Sequence, residues 1–145
     1  MRLLMISAAF AAAVLASCGG SKAISEKRGF VSHGMRDPAS TQFRNEKLRE
    51  SGWLCGEVNA KNAYGAYVGF KRFLAKDAAS VYVEGAGKVG VGESQHQELI
   101  RDIELETQAM KESYELRQQG KLTIDSYADW VKQRVFDIRW KDICA

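Results

Sequence analysis

Trp53-Leu54-Cys55-Gly56-Glu57-Val58-Asn59-Ala60-Lys61-Asn62 decides the fold of this chain. Leu54, Val58 and Ala60 fall on one side of an extended backbone and Trp53 and Cys55 on the other, the two-residue period of a β-strand. Turn residues bound it: Ser51-Gly52 before, Asn62-Ala63-Tyr64-Gly65 after. Upstream, residues 43–50 are polar enough for an edge strand. Downstream, residues 67–75 alternate Val68, Phe70 and Leu74 with Tyr67, Gly69 and Phe73. Lys76-Asp77 turns the chain again into a fourth short run, Val81-Tyr82-Val83. Strands joined by such short turns form an antiparallel meander.

The flanks are helical. Ile24, Val31 and Met35 recur at i, i+7 and i+11, with Phe30 beside them, which predicts a short amphipathic helix. Asp37-Pro38 then opens a helical turn. After a glycine-rich stretch at 85–92, Ser94-x-x-Gln97 has the form of a capping box. Leu99, Ile103, Met110 and Tyr114 mark one apolar face of a helix whose other faces carry Glu, Gln, Arg and Lys, and Gly120 is its expected stop. Thr123 is placed to cap a last helix, along which Tyr127, Trp130, Val131, Arg134, Val135 and Ile138 form a stripe. The expected architecture is α+β: a small antiparallel meander of three or four strands, a short N-terminal helix, and two C-terminal helices, all packed on one sheet face.

The N-terminus has a different character. Arg2 precedes the uncharged apolar run from Leu3 to Val14, and small residues follow. A basic start, a short apolar core and a small-residue end make a secretory signal peptide, too short for a comfortable span of about 20 residues. Leu15-Ala16-Ser17-Cys18 resembles the lipobox of bacterial lipoproteins. That resemblance implies cleavage before Cys18, acylation of its thiol and effectively permanent membrane attachment, because several acyl chains anchor stably where one does not. The implied organisation is a signal peptide at 1–17, a flexible tether at 18–23 and one α+β domain at 24–145. Gly19 follows the cysteine where lipoproteins kept at the inner membrane tend to carry Asp, so the expected location is the outer membrane, facing the periplasm.

Removal of residues 1–17 leaves 128 of 145, enough for one domain with one core. The chain carries 21 basic against 18 acidic residues. That balance lacks the basic excess of a nucleic-acid binder. Of three cysteines, Cys55 and Cys144 remain once Cys18 is assigned to the anchor. In an oxidising compartment two such residues most often pair, and a bridge between them clamps the last helix across the second strand, with Trp130, Val131 and Val135 covering the sheet. A lone cysteine with His33 and His96 far away in sequence is poor ground for a nucleophile.

Two further resemblances follow from the residues. Asp37-Pro38-Ala39-Ser40-Thr41-Gln42-Phe43-Arg44, Cys55-Gly56-Glu57-Val58-Asn59-Ala60-Lys61-Asn62 and Gly65-Ala66-Tyr67-Val68-Gly69-Phe70 resemble a group of small uncharacterised exported bacterial proteins with a DP-S-FR…CGEVNAKN…GGY-GF pattern. That likeness implies no activity. Leu116, Gly120, Leu122, Thr123 and Tyr127 are similar to the short C-terminal helical hairpin domain of many bacterial proteins, usually an interaction or oligomerisation element. The chain departs from that pattern by running on to Cys144.

Catalytic signatures are not readable. Gly85-Ala86-Gly87-Lys88-Val89-Gly90 is a literal G-x-G-x-x-G, but no following strand ends in an acid about 20 residues on, and the strands read as antiparallel. Glu93-x-x-His96 is one pair where a carboxylate-bridged metal site needs two. Glu93, Glu98, Asp102 and Glu106 on one helix side are expected to be a solvated face. Tyr64, Tyr67, Phe70 and Phe73 are the candidate partner surface, weighed against a plain core role. No cofactor, metal, nucleotide or nucleic acid is expected. The expected partners are the membrane, through Cys18, and an envelope protein or a second copy. The expected function is a non-enzymatic interaction or assembly module, with an inhibitor of a cell-wall hydrolase and an envelope enzyme acting on glycan or peptide as alternatives. The anchor has a direct test: Cys18→Ser should abolish incorporation of labelled fatty acid and release the protein from the membrane fraction, and label still entering the variant would refute the lipobox.

Overall fold

The computed structural model describes residues 17–145, with side chains from residue 20. Residues 1–16 of the expected signal peptide, and the side chains of Ser17 and Cys18, lie outside what is described. In chain order the elements are α1 (Ser17–His33), a 3-10 turn (Pro38–Ser40), β1 (Gln42–Leu48), β2 (Leu54–Asn59), β3 (Lys71–Ala75), β4 (Val81–Val83), β5 (Gly87–Lys88), α2 (His96–Gln118) and α3 (Tyr127–Ile143). The fold is α+β. The helix starts earlier than periodicity places it, so the backbone at 18–23, read as a tether, is helical. Its core contact comes later, through the fully buried Val31 with Phe30 and Ile24 beside it.

All strand pairs are antiparallel in the order β1-β2-β3-β4-β5. The fifth strand is one more than expected. It comes from the glycine-rich stretch, where Gly85 and Gly87 adopt φ of 77° and turn the chain back on β4. The G-x-G-x-x-G run is therefore a tight hairpin. At Gly56 a side chain is excluded for another reason: a Cβ would lie 2.9 Å from the Phe73 ring of the neighbouring strand.

The pleat sends Leu54, Val58, Phe73, Val81 and Val83 to one face, where α1 covers them. Trp53, Leu74 and Tyr82 go to the other, where Phe136 and Trp140 of α3 cover them. The expectation of helices on a single face is thus corrected. Both faces of the central strands are apolar, and each needs a cover. The expected packing of α3 is corrected as well. Trp130, Val131, Val135 and Ile138 meet Leu105 and Ala109 of α2, not the sheet. The sheet instead takes the neighbouring edge of α3 through Phe136, Trp140 and Ile143.

Cys55 and Cys144 lie at disulfide distance, 1.98 Å between sulfurs and 5.8 Å between Cα atoms, and fix the end of α3 on β2. Arg49 reinforces the clamp: its guanidinium donates to the carbonyls of Ile143, Cys144 and Ala145, a cation where the helix dipole is negative. The bridge spans 89 positions in sequence. Replacing both cysteines by Ala should cost up to ~4–5 kcal/mol in the chain-entropy view. The melting temperature should fall clearly while the far-ultraviolet dichroism at low temperature stays unchanged. An unaltered melting temperature would show that the clamp is dispensable.

Candidate functional site

The orientation of α2 makes the site. Apolar periodicity points Leu99, Ile103, Met110 and Tyr114 inward, but the structure turns them outward: Ile103 is 56% and Tyr114 62% exposed, and Leu99, Ile100 and Met110 are also exposed. The buried face of α2 is Asp102, Leu105, Ala109 and Ser113. Of the four acids expected to be solvated, Glu93 and Glu106 are exposed, whereas Asp102 is buried and Glu98 half-buried as inward anchors.

A cluster of charges explains this inversion. Asp102 Oδ1 accepts from the Tyr82 hydroxyl at 2.6 Å and from Arg139 Nη2 at 2.6 Å, and Oδ2 accepts from Lys88 Nζ at 2.8 Å. Arg139 also reaches Glu98 Oε2 at 3.2 Å, and Glu98 Oε1 takes Lys76 Nζ at 3.1 Å. Arg139 is only 2% exposed, and its guanidinium lies 4.5 Å from the Tyr82 ring centroid. Farther along α2, Glu112 pairs with Arg134 of α3 at 2.6 Å. A buried charge that loses its partner costs several kcal/mol, so these pairs fix which side of α2 faces in.

Burial alone would push the Asp102 carboxyl up. Hydrogen bonds from Lys88 and Tyr82 and the Arg139 charge outweigh it and hold the carboxyl below the usual aspartate range. Burial, then donation to Asp102, pushes the Tyr82 hydroxyl upward, so it stays protonated. Both Asp102 oxygens accept from donors within the domain. The cavity beside the cluster, lined by Tyr82, Lys88, Asp102 and Phe136, is about 70 Å³, room for water and not for a substrate. His33 and His96 are exposed and apart from it. Among the described residues no group of His, Cys, Asp or Glu is placed to hold a metal ion, and no helix is long and apolar enough to cross a membrane.

The four aromatics expected to share a surface are dispersed. Phe73 is fully buried in the core because its strand position faces α1. Phe70 lies under the Arg44 guanidinium at 3.9 Å, and the Tyr67 hydroxyl donates to the Ser40 carbonyl at 3.0 Å. Tyr67 is also exposed, but Tyr64 projects furthest, 93% exposed, on a turn whose Asn62 Oδ1 accepts from the Tyr64 and Ala66 amides. A separate hollow of about 260 Å³ near this turn is lined by Arg36, Lys61, Lys71, Val68 and Val89, among others.

Capping also differs from expectation. Ser94 does not cap α2; its hydroxyl accepts from Lys88 Nζ at 2.7 Å, and the chain enters the helix at Gln95. Thr123 shares a hydrogen bond with Ser126, the residue that precedes α3. Gly120 ends α2 with φ of 69°, as its residue type demands.

No protein-family model, curated protein or solved structure matches this chain. The site therefore stands on its own geometry. Asp102→Ala should strand Arg139 and Lys88 and destabilise the domain by about 3–5 kcal/mol. The pH dependence has a definite sign. A carboxyl held low when folded adds stability at neutral pH and loses it as pH falls below its unfolded value, about 3.9, toward its folded one. Asp102→Asn should therefore flatten the acid limb of a stability–pH curve measured by urea unfolding; an unchanged acid limb would show that the cluster does not set it.

Proposed function

We propose that this chain is a lipid-anchored envelope protein whose domain works as a non-enzymatic interaction module through the outer face of α2. The single observation that carries the reading is the outward apolar stripe Leu99, Ile103, Met110 and Tyr114 on a helix held by its polar side. Burying one such side chain is worth about 1.5–3 kcal/mol, so a monomer that leaves four in contact with water forgoes substantial stability. Contiguous exposed apolar surface of this kind marks a binding face. Glu104, Glu106 and Glu115 border it, which disfavours an anionic bilayer surface and favours a protein partner. The Leu15-Ala16-Ser17-Cys18 lipobox supports the anchor, and Gly19 after the cysteine, where Asp would favour the inner membrane, supports placement at the outer membrane facing the periplasm.

A second reading, a module that inhibits a wall hydrolase, draws on Tyr64, which the Asn62-centred turn presents almost fully to solvent. One experiment separates the two. Ile103→Glu and Met110→Glu change exposed positions and should move stability by no more than about 0.5 kcal/mol. In cells carrying the anchored protein, each should reduce its crosslinked adducts about tenfold, while Tyr64→Ala leaves them intact. The reverse pattern would transfer the function to the Tyr64 turn.

A further inference from the structure

We propose that the partner of the α2 face is a second copy of the same chain, the two α2 helices packing antiparallel about a two-fold axis near Thr107. The inference rests on the reading of that face as an interaction surface and adds its occupant.

The first support is spacing. Leu99, Ile103, Met110 and Tyr114 stand four, seven and four residues apart, an order that is the same in either direction along the helix. Antiparallel pairing about the midpoint of this stripe, between Glu106 and Thr107, brings Ile103 of each copy beside Met110 of the other, and Leu99 beside Tyr114. The small Thr107 lies beside that axis. An isologous contact requires this self-complementarity, and an arbitrary partner does not.

The second support is charge. The same register sets Glu104 of each copy against Lys111 of the other. Among the described residues Lys111 has no ion-pair partner within its own chain, and Glu104 has only Arg101 at 3.7 Å. The antiparallel register thus joins opposite charges on one flank of the helix pair.

The third is shape. A shallow hollow of about 430 Å³ runs along this flank, lined by Ile103, Glu104, Thr107, Gln108, Lys111, Glu112 and Glu115. From Leu99 to Tyr114 the contact is about 22 Å long at 1.5 Å per residue. One helix pair of that length is at the low end of specific interfaces. The association is accordingly weak in free solution and gains from the anchor, which confines both copies to one membrane and raises their effective concentration.

The test uses the full chain in its membrane. Thr107→Cys should give a disulfide-linked dimer on mild oxidation, because a residue beside a two-fold axis lies close to its own counterpart. Ile124→Cys, exposed but off the axis, should not. Glu104→Lys and Lys111→Glu, each introduced into the Thr107→Cys background, should lower the crosslinked fraction at least threefold. The double reversal should restore it to within about twofold of the parent. Absence of a Thr107→Cys dimer, or failure of the double reversal to restore it, overturns the self-pairing. If Ile103→Glu still removes other crosslinked adducts in that case, α2 remains an interaction face with a different occupant. If Ile103→Glu changes nothing either, the interaction reading falls as well.

Discussion

The carboxylate of Asp102 is the constraint on which the arrangement of the C-terminal half depends. Three donors converge on it from three elements: Tyr82 from β4, Lys88 from β5 and Arg139 from α3. None of the four could be buried alone without a large desolvation penalty. Together they pair with one another, although Arg139 Nε keeps no partner, and this geometry orients α2 about its own axis. The helix leaves one apolar stripe exposed and buries a mixed face, with Asp102 beside Leu105, Ala109 and Ser113. A hydrophobic stripe alone would have rolled the helix the other way, and Glu98 with Lys76 and Glu112 with Arg134 oppose that roll on either side of Asp102.

This arrangement needs Arg139 to be held rigidly, and the position of α3 provides that. Phe136 and Trp140 stack at 6.0 Å and bury against Trp53, Leu74 and Tyr82. The Cys55–Cys144 bridge and Arg49 fix the far end of the same helix. The sheet thus positions α3, α3 carries Arg139, and Arg139 orients α2. On the opposite face α1 completes the core with Val31, and the Lys27 ammonium donates to the Lys76 carbonyl at 2.6 Å beside the β3–β4 turn.

The consequence for function is a division of labour between the two sides of α2. Its inner side resembles a lock made of charges, with no room for a substrate. Its outer side keeps apolar groups in water, the feature on which the proposed interaction face rests. Tyr64 and the hollow bordered by Arg36, Lys61 and Lys71 lie on another part of the surface, so the domain can present a second contact without disturbing the first.

Much of this protein was legible in residue order because local physics decides it. Two-residue alternation from Trp53 to Val58 placed β2 and assigned its two faces, and Gly120 ended α2 because few other residues accept a positive φ. Two cysteines left once Cys18 was assigned to an anchor implied the bridge that the structure contains. The outcomes that residue order did not give all depended on contacts distant in sequence. Phe73 had to be core once α1 covered its face, although its neighbours made it look like part of a platform. The stripe on α3 met α2 and not the sheet. Above all, a helical pattern states that a helix has an apolar side and a charged side, but not which one is turned inward. Arg139, Lys88 and Tyr82, 37, 14 and 20 positions from Asp102, favour the observed orientation, because a buried carboxylate turned away from its donors is strongly penalised.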